Sequence, residues 1–227
     1  MHGPLGLNLL GMMRSIMKFS KIPAVTITRL SIYSRCLEAL AQEDVKIIAS
    51  DKLAQKCGIN PAQIRKDLAY FGEFGIRGVG YFVKELLFEI KRILGLNKTW
   101  KMALVGIGNL GLALVAHENF IRQGYEFVAV FDVDPAKVGR RLPSGQIIHH
   151  VDELDKVVKE KGVEIGVIAT PAGKAQNAAH RFISAGVRAL LNFAPIQLQV
   201  PEGMAVENVD FTVKLDNLAY HLTLAEA

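Results

Sequence analysis

The chain has 227 residues, 50% of them hydrophobic and 22% charged, with a formal net charge of +5. At roughly 100 to 200 residues per domain this is one large domain or two modest ones, and the proportions exclude a disordered chain, a collagen-like fibre and a low-complexity scaffold. Two cysteines, Cys36 and Cys57, stand in neither a CxxC nor a Cys/His ligand spacing, which excludes a disulfide framework and fits a reducing cytoplasm.

The charge is unevenly divided. Residues 1–100 hold 15 Lys or Arg against 8 Asp or Glu, a net +7, whereas residues 101–227 hold 12 against 14, a net −2. A basic half joined to a near-neutral one suggests that the first half meets a polyanion. The apolar stretch Leu5–Met17 is broken by Asn8 and Arg14 and has no small-residue cleavage site after it. It is too short to span a bilayer, so residues 1–20 read as a frayed tail or as residues upstream of a later start codon, and no membrane partner is expected.

From residue 21 the rhythm is helical. Leu30, Tyr33, Leu37 and Leu40 fall three or four apart and predict the buried stripe of a first helix. Ser50 is the expected cap of a second, with Leu53, Ala54 and Cys57 inward and Gly58 at its end. Asn60 and Pro61 then open a third helix whose apolar side is Ile64 and Leu68. Two short helices joined by residues 57–60 make a helix-turn-helix. Glycines alternate with apolar and aromatic residues through 71–81, as a hairpin wing requires. A helix over Val83–Leu94 leads out of this winged unit, which spans 21–98.

The second half alternates. Apolar runs at Lys101–Val105, Glu126–Phe131, Val163–Ala169 and Val187–Leu191 are separated by helical segments over Asn109 to about Arg122, Asp152–Lys161 and Ala172–Ala185. Near-continuous apolar strands between helices mean a parallel sheet covered on both faces, a doubly wound α/β domain over 99–200. In residues 201–227, Phe211, Leu215, Leu218 and Leu222 recur at helical spacing. That stripe has to be buried on its own domain, on the basic module or on a second subunit.

Gly106-Ile107-Gly108-Asn109-Leu110-Gly111 matches GxGxxG. It follows a predicted strand, opens a predicted helix and is followed by Asp132 at the end of the next strand, which is the dinucleotide-binding context of a Rossmann domain. Gly106 permits the tight turn, Gly108 lets backbone approach a pyrophosphate, and Gly111 lets the helix press on the strand. Asp132 is placed to accept from the adenosine ribose, and Asp134 adds charge where a 2′-phosphate would sit. This favours NAD(H) over NADP(H), with Arg140 and Arg141 nearby opposing it. The strand ends that would face the nicotinamide are Ala169-Thr170-Pro171-Ala172 and Leu191-Asn192-Phe193-Ala194-Pro195. Neither offers a general acid or base, so no catalytic residue is assigned. The six histidines form no i, i+4 metal pair, and no metal site is expected. In the third predicted helix Gln63, Arg65 and Lys66 lie away from Ile64 and Leu68, placed to read base edges or grip phosphates. Arg77 and Tyr81 on the wing, with Lys52 beside them, extend that surface.

Taken in order, Lys21-Ile22-Pro23, Gln63 to Gly72, Arg77-Gly78-Val79-Gly80-Tyr81, Gly106 to Gly111, Phe131 to Pro135, Asn192 to Pro195 and Val206 to Phe211 resemble the Rex family of redox-sensing transcriptional repressors. The likeness runs from about Lys21 to His221. It implies a homodimer with an N-terminal winged helix, a central Rossmann domain and a C-terminal helix swapped onto the partner. It also implies repression of respiratory and fermentative genes when NADH is scarce, with NADH releasing the DNA, an inverted-repeat operator. By the same likeness Arg35 and Asp210 are the pair that differs between the DNA-bound and NADH-bound forms. Phe211 of the partner subunit approaches the nicotinamide, and Gly78 belongs to the DNA-contacting wing. His117 stands where family members commonly carry a tyrosine. The alternative reading is an NAD-dependent dehydrogenase with a basic accessory domain; a third puts coenzyme A or another nucleotide in the glycine loop.

Overall fold

A computed structural model describes residues 22–225, so the expected tail lies outside the described residues. The described residues divide into two compact units, 22–97 and 98–225. Among the described residues no helix is long and apolar enough to cross a membrane.

In the first unit, α1 (Ala24–Gln42) buries Leu30, Tyr33, Leu37 and Leu40, the stripe its spacing requires. Next comes β1 (Ile47–Ile48), then α2 (Ser50–Cys57) and α3 (Pro61–Ala69). Gly58 closes α2 at φ 65°, and Asn60 caps α3 by accepting from the Ala62 N–H at 2.8 Å. Ser50 does not cap α2. Ala49 occupies that place, and the Ser50 hydroxyl is spent instead on the Tyr81 hydroxyl at 3.3 Å. The wing is also smaller than a hairpin. One bridge joins Ile76 to Gly80, and β2 (Tyr81–Phe82) pairs antiparallel with β1. Gly80, at φ 119°, lets the chains meet there, since a Cβ on it would stand 2.4 Å from the Ile48 carbonyl oxygen. The unit closes with α4 (Val83–Ile93), and Ile64, Val83, Leu86 and Ile90 complete its core against α1.

The second unit is a six-stranded, all-parallel sheet in the order β5-β4-β3-β6-β7-β8. Its elements are β3 (Trp100–Val105), α5 (Asn109–Val115), α6 (Asn119–Arg122), β4 (Tyr125–Asp132), β5 (Ile148–His150), α7 (Leu154–Lys161), β6 (Ile165–Ile168), α8 (Ala172–Ser184), β7 (Ala189–Asn192), β8 (Ala205–Asn208) and α9 (Phe211–Ala225). The single helix expected over 109–122 is two. The bonds His117 N–H to Leu114 O and Phe120 N–H to His117 O, each three residues apart, turn the chain between them. The sheet extends past residue 200, taking its sixth strand from the segment after Pro201. On α9, Phe211, Leu215, Leu218 and Leu222 are each at least 60% exposed, so the stripe is not buried on its own domain.

What positions α3 is a charge. Asp67, 0% exposed, accepts from Arg29 Nη2 (2.7 Å) and Nε (2.5 Å), the Tyr33 hydroxyl (2.8 Å), Gln63 Nε2 (2.8 Å) and the Thr26 hydroxyl (3.3 Å). Burial pushes its pKa up, and the bonds from Arg29, Tyr33 and Gln63 outweigh it, leaving the carboxyl below the usual range. Such a group stabilises the fold above its unfolded pKa of about 3.9 and stops doing so as pH falls through the lower folded value. We therefore expect Asp67→Asn to cost about 3 kcal/mol at pH 7, the low end for a broken buried pair because Arg29 stays partly exposed. Thermal unfolding should show the gap between variant and parent closing on acidification to about pH 2. A gap unchanged between pH 7 and that limit would contradict it.

Candidate nucleotide and nucleic-acid sites

The loop after β3 has the geometry its glycines imply. Gly106 sits at φ 102°, where a Cβ would stand 2.6 Å from the Ala169 carbonyl oxygen, and its N–H donates to Phe131 O at 2.9 Å. A Cβ on Gly111 would stand 2.0 Å from Gly106 O, so α5 lies directly against the turn. Gly108 faces open space, with nothing within 4 Å of the Cβ position. That is the cradle a pyrophosphate needs. Asn109 is exposed and Leu110 is 38% exposed at the loop's outer side. Ile107 is different: its side chain is 2% exposed and its N–H is bonded to Asp132, so both help build the loop.

Asp132 closes the other side. One oxygen accepts from the Ile107 N–H (2.8 Å) and from Lys137 Nζ (3.1 Å), and the other from the Asp134 N–H (2.9 Å). Burial raises its pKa, but the Asp134 N–H, Lys137 and the Ile107 N–H together hold it below the usual carboxylate range. Lys137, also 3.8 Å from Asp134, is a residue that sequence reading missed; its only signal is a cation five positions after the strand-end acid. Of the two flanking arginines, Arg141 is spent on the Gly145 carbonyl at 2.7 Å.

At the end of β6, Thr170 Oγ1 is buried with no hydrogen-bond partner, and its methyl lies 3.1 Å from the Gly106 Cβ position. Pro171, beside it, is the N-cap residue of α8. An orphaned hydroxyl bordering the glycine turn fits a polar ligand group. Asn192, at the end of β7, does not line the site as expected. It is 0% exposed, and its amide is consumed by Ala194 N and O, Ile196 O and Asn208 Oδ1, at 2.9 to 3.0 Å. It shapes the β7 loop. Phe193 faces the Phe211 ring with centroids 6.4 Å apart. Asp210 accepts from the Thr212 hydroxyl (2.6 Å) and N–H (2.8 Å), which lower its pKa, and it borders a 330 Å³ cavity with Ala194, Pro195 and Asn208. Among the described residues no cluster of three or more His, Cys, Asp or Glu could hold a metal.

In the first unit an open groove of about 680 Å³ runs between the start of α2, α3 and the wing. It brings Arg65, Arg77 and Gly78 to one surface. Lys52 and Lys66 are exposed but do not line it. Tyr81, expected as a contact, is 6% exposed and belongs to the core, its hydroxyl taken by Ser50. Gln63 is half-buried against Asp67. Arg35 is exposed on α1, in the first unit, and Asp210 lies in the second.

Residues 21–69 match the family model "Putative DNA-binding protein N-terminus" and residues 97–196 match "CoA binding domain". The redox-sensing transcriptional repressor Rex of Syntrophobacter fumaroxidans is 62% identical over 207 residues, 91% of this chain and 99% of that protein. The chain belongs to the Rex family. Rex of Streptomyces coelicolor is 46% identical, covering 88% of this chain and 77% of its own. RSP, a Rex-family repressor solved with β-NAD+ and operator DNA, superposes with a TM-score of 0.86 at 36% identity, over 90% of this chain and 94% of that one. RSP with β-NADH gives 0.82 at 34% identity, over 91% and 96%. Family membership makes the chain a transcriptional regulator and not an enzyme, despite its Rossmann-type sheet.

Because Asp132 ties the glycine loop to β4, Asp132→Asn either sets an NH2 group against the Ile107 N–H and Lys137, which share one oxygen, or sets it against the Asp134 N–H and leaves Ile107 a neutral acceptor in place of a charged one. The expected result is a tenfold or greater loss of hydrogen-exchange protection at the Ile107 amide, about the 1.4 kcal/mol that one charge-assisted bond contributes. Unchanged protection there would show that the loop holds itself.

Proposed function

We propose that this Rex-family chain is a cytoplasmic homodimer that holds an inverted-repeat operator through its winged helix and releases it when NADH fills the loop after β3. The observation that carries this reading is the pairing, in one chain, of the Gly106–Gly111 cradle closed by Asp132 with a groove that presents Arg65 and Arg77, beside Asp51 and Glu73, on a half whose net charge is +7. The RSP structures with NAD+, NADH and operator DNA support it.

Gly106, Gly108 and Gly111 would hold the pyrophosphate, with Asn109 and Leu110 at its edge, and Asp132 would take the adenosine ribose on its remaining lone pairs. Thr170 and Pro171, with Phe193, would flank the nicotinamide, joined by the partner's Phe211. The nicotinamide ring supplies the signal by being a cation when oxidised and neutral when reduced. An apolar, aromatic surround favours the neutral form, since a buried charge without a partner is costly. Buried and ionised, Asp132 also opposes a 3′-phosphate on the ribose, which speaks for a dinucleotide over coenzyme A although the family model carries that name.

The exposed stripe of α9 calls for a second copy, and a two-fold dimer sets two α3 helices a whole number of DNA turns apart. Gln63, Arg65, Lys66, Lys52, Arg77 and Gly78 would then contact DNA. Arg35 and Asp210 are the proposed switch, a cation and an anion in separate units that can pair in one state and part in the other.

In a fluorescence anisotropy titration, NADH should weaken operator binding by about 5- to 150-fold more than NAD+ does, the usual span of coupling between sites. Equal responses to the two nucleotides would reject the redox part. In a separate salt titration, Lys66→Ala and Arg77→Ala should each reduce the slope of log K against log salt by about 1.8, two phosphate contacts of about 0.9, one from each subunit. A slope unaltered by both would move the DNA surface elsewhere.

A further inference from the structure

Gln63 lies in the first turn of α3, where a recognition helix meets base edges. Its amide has two faces, a donor NH2 and an acceptor oxygen, and a glutamine left free could present either. This one is not free. Asp67, one turn on, is shut from water and accepts the Gln63 Nε2 proton at 2.8 Å. The same carboxylate is gripped through both oxygens by Arg29 and by the Tyr33 and Thr26 hydroxyls, five bonds in all. An ionised carboxylate can only accept. The amide must therefore turn its nitrogen inward and its Oε1 outward, and the reverse orientation would set two acceptors against each other.

Resting on the repressor reading above, we propose that Asp67 is a specificity-determining positioning residue. By fixing the Gln63 amide with Oε1 toward DNA, it commits the protein to a base with an exocyclic amine in the major groove, adenine before cytosine. Adenine fits best because Oε1 accepts from N6 while the second Nε2 proton reaches N7; cytosine offers only its N4 amine. Guanine and thymine put an acceptor, O6 or O4, opposite an acceptor. Arg29 and Tyr33 act one step further back, keeping Asp67 charged and still. The residue that chooses the base thus never touches it, and the specificity is built on α1 as much as on α3.

The test starts from an operator selected by the intact protein out of a random-sequence duplex library. Anisotropy titrations then cover all four base pairs at each half-site position. Gln63→Met should level the preference at one position only. There the parent should favour adenine, and guanine or thymine should cost about 5- to 150-fold, the discrimination of one good bidentate contact. Asp67→Asn frees the amide to flip, so discrimination at that position should shrink to within about threefold while other positions keep theirs. Should Asp67→Asn unfold, the parent protein carries the test alone. Replacing the adenine by purine, which lacks N6, should cost about tenfold, and replacing N7 by carbon should cost less. A preference for guanine or thymine at the Gln63 position, or no penalty for removing N6, overturns the proposal. Failure of the parent to select any duplex would instead overturn the repressor reading itself, and this inference with it.

Discussion

A carboxylate shut away from water has to be ringed by donors, and each half of the chain is organised around one. In the first unit Asp67 ties α3 to α1 through Arg29 and Tyr33, 38 and 34 residues away. In the second, Asp132 ties the end of β4 to the glycine loop 25 residues back. Both carboxyls keep pKa values below the usual range despite burial, because hydrogen bonds to the charged form outweigh desolvation. Arrangements of this kind are high in stakes. Complete, they set one geometry; with one partner removed, they leave a charge stranded.

The two anchors serve different ends. Asp67 fixes α3, the helix we propose to read DNA, against α1 and gives its first-turn amide a single orientation. Asp132 makes the phosphate cradle a preformed one, so that little ordering remains to be done when a nucleotide enters. A sensor benefits from both. A ligand shifts an equilibrium only by its differential affinity for the two states. Arg35 and Asp210, one in each unit, are our candidates for its source.

How much of this the sequence disclosed depended on range. Local rules worked: Asn60 with Pro61 opens α3, Gly58 ends α2, and the glycine loop follows its strand. These are contests among neighbouring backbone groups. Side-chain partners distant along the chain were not legible. Ser50 looks like a cap until Tyr81 arrives from 31 residues away to take its hydroxyl. The same meeting buries Tyr81, which read as a DNA contact. Asn192 looks like a pocket residue at a strand end, yet Asn208 and the β7 loop use up its amide. Asp67 falls three residues after Ile64 on the inward side of α3, but nothing local names the donors on α1 that make a buried carboxylate tolerable there, and β5 (Ile148–His150) and β8 (Ala205–Asn208), at the sheet's two edges, carry no continuous apolar run.

The central claim is that one nucleotide pocket and one DNA surface share a free energy. Thermodynamic linkage makes this measurable from the side opposite to DNA binding. Isothermal calorimetry of NADH into the protein, alone and saturated with operator duplex at one salt concentration, gives two dissociation constants. We expect operator to weaken NADH by the same factor by which NADH weakens operator. Identical NADH constants with and without DNA would contradict the account, however tightly each ligand bound alone.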